Sequence, residues 1–306
     1  MKQTQAFLST YTADVSGVCS ALFELGGMTV MHDASGCNST YNTHDEPRWY
    51  DMDSLVYISG LSELEAVMGD DEKLITDIVD AARQLHPRFI ALAGTPIPMI
   101  TGCDLPAIAR EVEGRTKIPS FAVPSNGIGT YVAGAGQALR LYAERFITRR
   151  PDKRKNAVNI LGATPLDFSV NGCVQSMARR LEEAGFTLQS VFAMGSCFDS
   201  IDEAGAAEVN LVVSSVGLPA AKYFQAQFGT PYVIGAPFGD FFSPYVFDAL
   251  RESIRTGAPA DVLGTFAPDA PDTIILGESV TAKSLAAALA VGYGIGARVI
   301  CPGGAP

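Results

Sequence analysis

Apolar runs of strand length alternate with helix-period segments along nearly the whole chain, and nothing else in the sequence constrains the fold as strongly. The series begins "TVMHD", "SLVYISG", "DDEKLITDIVDAARQLH", "RFIALAG", "DLPAIAREVEGRT" and "IPSFAVPS". Near-continuous apolar strands separated by amphipathic helices and short Gly/Pro-marked connections read as a parallel sheet with helices on both faces. After a helix over about Gly134 to Phe146 and the basic run "RRPDKRK", the same grammar restarts at "NAVNILG". It continues through "GCVQSMARRLEEAGF", "TLQSVFAM", "SIDEAGAAE", "VNLVVSS", "PAAKYFQAQFG" and "TPYVIGAP". The expected fold is therefore α/β, with two doubly wound, Rossmann-like domains over 1–150 and 151–268. The tail 269–306 reads as one βαβ unit, the start of a third, incomplete domain. One such unit cannot cover both faces of its own sheet.

The chain has 306 residues, enough for two cores without covalent staples. Its net charge of −11 disfavours a nucleic-acid backbone as partner, since that needs a field of Lys and Arg. The run Arg149 to Lys155 reads as a solvated linker. No stretch approaches the roughly 20 apolar residues of a membrane span, and "MKQTQAFLST" lacks the apolar core of a secretory signal. A cytoplasmic protein is expected. Six cysteines without any CxxC pair fit neither a disulfide framework nor the common zinc modules. Cys173, Cys197 and Cys301 read as small buried hydrophobes.

In open parallel sheets, functional groups gather where strands end and helices begin. "HDASGCNST", "GTPIPMITGCDL" and "PSNGIG" occupy such places, so Cys37, Thr95, Cys103 and Ser125 are expected at one crest. Widely spaced cysteines on converging loops suit an iron-sulfur cluster better than a zinc finger; a buried or redox-silent Cys37 is the alternative. His32 and His44 flank Cys37 and could hydrogen-bond to cluster sulfur or carry protons. His86 reads as a helix-end cap, and Asp33, Asp45 and Glu46 as turn and surface residues. The glycines of "NGIGTYVAGAG" do not have dinucleotide-fingerprint spacing.

"VMHDASGC" resembles the His-Gly-Pro-x-Gly-Cys stretch of the nitrogenase component 1 family. In order along the chain, "ISGLSELEAVMGDDEKL", "GTPIPMITGCDL", "VNILG", "VNLVVSSVGLPAAKYFQAQFGTPYV" and "IILGESVTAKSL" resemble further blocks of that family. The resemblance covers nearly the whole chain and rests on the order of the blocks. It implies a dimeric oxidoreductase component that takes electrons from an ATP-dependent iron-sulfur reductase protein and passes them through a cluster at the subunit interface. Cys37 then becomes a cluster ligand.

The departures from the family pattern shape the expectation. The first family ligand falls near Tyr11, with Cys19 two helical turns later. The third falls at Thr95, and Cys103 stands where the block has Asp. Ser214 aligns with the cysteine that holds the catalytic cofactor in nitrogenase, and the matching histidine would lie in a third domain that the chain barely starts. Dinitrogen reduction is therefore not expected. The expectation is a homodimer with one [4Fe-4S] cluster on its two-fold axis, held by two Cys37 and by two of Cys19 or Cys103, with His32, His44, Thr95 and Ser125 around it. The catalytic residues and the substrate are not identified, and apolar Val18, Ala21, Leu22 and Leu25 would line the dimer axis. The alternatives are a non-catalytic scaffold or carrier for a metal cluster or tetrapyrrole, and a metal-free structural relative.

Overall fold

The computed structural model describes residues 13–34, 36, 41, 46–264 and 273–302. It divides into two compact units, Thr12–Leu141 and the part from Tyr142 onward.

The first unit is a four-stranded parallel sheet of β1 (Met28–His32), β2 (Leu55–Ile58), β3 (Ile90–Gly94) and β4 (Ser120–Val123), in the order β2-β1-β3-β4. Its helices are α1 (Asp14–Leu22), α2 (Glu63–Met68), α3 (Asp71–Leu85), α4 (Pro96–Thr101), α5 (Leu105–Thr116) and α6 (Tyr131–Phe146), the last of which runs into the second unit. Strand periodicity divides the core. Met28, Val30, Ile90 and Leu92 form one cluster with Leu74, Ile75 and Ile78 of α3 and Ile108 and Val112 of α5. Side chains alternate across a strand, so buried Thr29 and Met31 project to the other face. There α1 touches β1 and β3, and no α1 residue belongs to the α3/α5 cluster.

All nine residues of α1 are buried. The reason is its approach to α6, where glycines remove the side chains that would hold the backbones apart. A Cβ on Gly134 would lie 1.9 Å from Asp14 O, and one on Gly17 would lie 2.2 Å from Tyr131 O. Leu22 and Leu25, 1% and 0% exposed, have no free face for a second copy.

The second unit holds a five-stranded parallel sheet in the order β6-β5-β7-β8-β9: β5 (Arg154–Leu161), β6 (Thr187–Val191), β7 (Ala207–Val212), β8 (Tyr232–Ile234) and β9 (Ala260–Asp261). Its helices are α7 (Pro165–Phe168), α8 (Cys173–Glu183), α9 (Phe198–Ile201), α10 (Leu218–Phe228), α11 (Gly239–Thr256) and α12 (Ser279–Tyr293). A separate two-stranded parallel sheet, β10 (Thr273–Leu276) with β11 (Ala297–Ile300), encloses α12, which packs on α11. The basic run is not all linker. Arg154 and Lys155 open β5, and Lys153 donates to Gly205 O, Ala207 O and Thr230 Oγ1. No helix among the described residues is long and apolar enough to cross a membrane.

Candidate functional site

The order β2-β1-β3-β4 sets the carboxyl ends of β1, β3 and β4 side by side, and side chains knit that crest together. Thr95 Oγ1 donates to His32 O at 2.8 Å, and Ser125 Oγ donates to Gly94 O at 3.0 Å. His32 Nδ1 lies 2.9 Å from Ser59 Oγ, which also receives Asp33 N–H at 3.1 Å. The loop after β4 is held from below by Asp14, whose carboxylate accepts the N–H groups of Asn126 (3.0 Å), Gly127 (2.8 Å) and its neighbour Val15 (2.8 Å). A carboxylate that takes three backbone donors fixes its loop. His32, Thr95 and Ser125 therefore stand together, while Cys37 and His44, like Tyr11, lie outside the described residues.

His32 is 6% exposed. Its ring lines a small pocket with Ser59, Glu65, Asp70 and Lys73. Burial lowers its pKa, and the carboxylates of Asp71, Asp33 and Glu65 oppose that shift only in part.

The two described cysteines expected near the crest are kept apart by the sheet. Cys19 is 0% exposed in α1; burial and then the Glu46 carboxylate push its thiol far above the ordinary range. Cys103, half-buried after α4, packs against the α3/α5 cluster on the opposite face. Its Sγ lies 3.7 Å from Asp71 Oδ1, and burial together with that carboxylate pushes its thiol up to about 12. Among the described residues no three His, Cys, Asp or Glu side chains converge into a metal site. The described thiols do not by themselves supply the ligands of a four-iron cluster.

Asp33 and Glu46 are buried, not surface residues. Glu46 meets Arg48 in a two-point pair, Nε–Oε1 2.7 Å and Nη2–Oε2 2.9 Å, while Arg48 also reaches Glu24 Oε1 at 2.9 Å and Ser20 O at 2.7 Å. Ser20 Oγ and Tyr41 Oη donate to the same Glu46 carboxylate. The guanidinium, 2% exposed, lies 4.5 Å above the Phe23 ring. Burial opposes its charge, but the bonds to Glu46 and Glu24 prevail and raise its pKa. No motif in the sequence marks this node.

A surface feature that no motif announces stands beside the crest. Helices α2 and α4 adjoin, and Leu64 (71%), Val67 (77%), Met68 (73%) and Ile100 (78%) are exposed, with Met99 beside them. No residue of α2 is buried. Exposed Glu63, Asp70 and Asp104 flank the apolar surface in sequence. A weaker signal does exist: Ser62-x-x-Glu65 forms a capping box that starts α2, and Leu64, Val67 and Met68 then fall on one helical face.

In the second unit, Ser214 is buried and donates to Gly162 O at 2.6 Å. Glu278, the N-cap of α12, accepts from Ser215 N at 2.8 Å and from Val280 N and Thr281 N at 3.0 Å each. These contacts tie the final βαβ unit to the turn after β7.

Residues 16–264 match the family described as nitrogenase component 1 type oxidoreductase. The chain is 25% identical over 179 residues to the nitrogenase iron-molybdenum cofactor biosynthesis protein NifE of Clostridium pasteurianum, covering 58% of this chain and 38% of that protein. It is 26% identical over 181 residues to a polypeptide of the light-independent protochlorophyllide reductase of Nostoc punctiforme, covering 56% and 36%. The chain thus aligns with under two fifths of the length of either relative. A solved structure titled "Nitrogenase Cp1 at pH 5" superposes with a TM-score of 0.72 over 98% of this chain and 66% of that one, at 17% identity, which is a likeness of fold.

Proposed function

The chain belongs to the nitrogenase component 1 type oxidoreductase family, and from that premise we propose that it is a nitrogenase-like oxidoreductase component of the cytoplasm, served by an ATP-dependent iron-sulfur reductase protein. The observation that carries the reading is the exposed apolar surface of α2 and α4 beside the crest. Large apolar patches with a charged rim mark sites where another protein docks. An acidic rim on a chain of net charge −11 suits a partner with a basic rim better than a second copy of itself. His32, Thr95 and Ser125 shape the crest behind that surface. The group implied by the family is an iron-sulfur cluster, which supplies one-electron transfer when bound, and Cys37 is this chain's proposed ligand to it. The substrate is a small molecule whose identity the site does not specify.

The test is anaerobic isolation of the chain from its own cells under conditions that preserve complexes, with iron, sulfide and visible absorption measured. A brown charge-transfer band that is lost in Cys37→Ala supports the reading. Iron below about half an atom per chain in the wild-type complex would remove it.

A second reading, a scaffold or carrier for a metal cluster or tetrapyrrole, draws support from the likeness to NifE, a cofactor biosynthesis protein. A carrier transfers its iron to an acceptor protein as intact cargo. A redox component keeps its iron and cycles between oxidation states.

A further inference from the structure

No residue of α2 is buried, so apolar packing contributes little to its seat and polar contacts decide it. Leu61 N, just before the helix, donates to Asp33 O at 2.8 Å, and Ser62 and Glu65 close the capping box. Glu65 also lines the small pocket that holds His32, Ser59, Asp70 and Lys73, and its Oε1 lies 3.5 Å from Lys73 Nζ. His32, 6% exposed, presents its ring to that pocket. Its Nδ1 is taken by Ser59 Oγ at 2.9 Å, and Ser59 itself donates to Asp33 O at 3.2 Å and accepts Asp33 N–H at 3.1 Å. With the hydroxyl proton on Asp33 O, the neutral ring carries its own proton on Nδ1 and leaves Nε2 as an acceptor, which bonds to no described residue. Neutral Nε2 and the Glu65 carboxylate are both acceptors and cannot bond to each other. A proton on Nε2 turns one of them into a donor.

We propose that a proton on His32 tightens the seat of α2, by joining the ring to the Glu65 carboxylate across this pocket, and thereby gates the α2/α4 surface. The inference rests on the reading of that surface as a docking site and adds its regulation. The charged groups that face the ring are Asp33 at the end of β1, Glu65 of α2, and Asp70, Asp71 and Lys73 at the start of α3. β2, β3 and the N-cap of α4 bring Ser59, Gly94 and Thr95, which carry no charge. The carboxylates outnumber the single ammonium, so a charged ring meets attraction, while burial keeps the ring neutral near pH 7. Acidification is therefore the signal, and it reaches Leu64, Val67 and Met68 through the helix that carries them beside Glu65. The proton still lowers global stability, because the unfolded chain takes it up more readily; within the folded state it favours the seated helix.

Amide hydrogen exchange of the full chain reads the seat directly, at Ala66 and Gly69, whose N–H groups donate to Ser62 O and Glu65 O. Rates are measured between about pH 7.5 and 5 and corrected for intrinsic exchange at each pH. The expected result is protection in α2 that rises about fivefold relative to α5 on acidification of the wild type and stays flat in His32→Gln and in Glu65→Gln. Glutamine at position 65 still closes a capping box, so that variant removes the charge, keeps the helix start, and carries the test alone if His32→Gln does not fold. Protection independent of pH in the wild type, or a rise that survives in either folded variant, overturns the inference and leaves the proposed function standing. Sedimentation with a nucleotide-loaded iron-sulfur ATPase over the same pH range reads the docking, which is expected to tighten on acidification in the wild type and not in Glu65→Gln. Binding that does not follow the protection of α2 overturns the gating, and no binding at any pH removes the proposed function and the gating with it.

Discussion

Glu46 and Arg48 show how little a residue's type says about its surroundings. Read as sequence, "HDEPRWYD" is a polar turn; in the fold, its carboxylate and guanidinium are buried as a pair that clamps the turn onto α1. Removing one partner strands the other charge. Arg48→Ala is expected to destabilise the protein by about 3–5 kcal/mol, whereas the double change Glu46→Gln with Arg48→Met costs less than the single one. Urea unfolding of the three proteins checks this, and a double variant worse than the single one would contradict it. His32 gives a pH dependence with a definite sign. Its folded pKa is depressed, so between that value and the ordinary value of about 6.5 the unfolded chain binds more protons. Stability from this residue is therefore complete above about pH 6.5 and is lost as pH falls below it toward the folded value. His32→Gln should flatten that part of the stability profile, measured as urea midpoints between about pH 7.5 and 5.

At the scale of elements, the strands and longer helices were legible because continuous apolar runs and the 3.6-residue period record burial directly. α3 appears where "DDEKLITDIVDAARQLH" places it, and His86 caps it with a left-handed backbone. The short helices were not legible. α4 hides in "PIPMIT", a stretch that reads as loop until Pro96 is placed in its first turn, and α2 is brief with its apolar side exposed. The facing of cysteines was equally hidden, because a helical position points toward whichever neighbour the packing supplies, and α6 lies more than 100 residues further along. The α1/α6 contact yields a prediction at this scale. Gly134→Ala forces a Cβ into the Asp14 backbone and should cost about 1–3 kcal/mol or more. Gly114→Ala, in α5 with nothing within 4 Å of its Cβ, should stabilise by roughly 0.5–1 kcal/mol. Thermal midpoints of the pair test the contrast, and equal effects would refute the close approach.

For the whole molecule, the family was legible from ordered blocks, and the exposed apolar surface was not, since it depends on two short helices meeting beside the crest. The central claim is that α2 and α4 receive a reductase protein. Because Val67 and Met68 are exposed, charged substitutions there should leave the fold intact. The direct measurement is anaerobic sedimentation of the chain, in the complex isolated from its own cells, with a nucleotide-loaded iron-sulfur ATPase from the same source, for wild type and for Val67→Asp with Met68→Asp. The account predicts a complex that weakens with salt and is at least about tenfold weaker in the double variant. Unchanged binding by the variant, or no complex with the wild type, would contradict it.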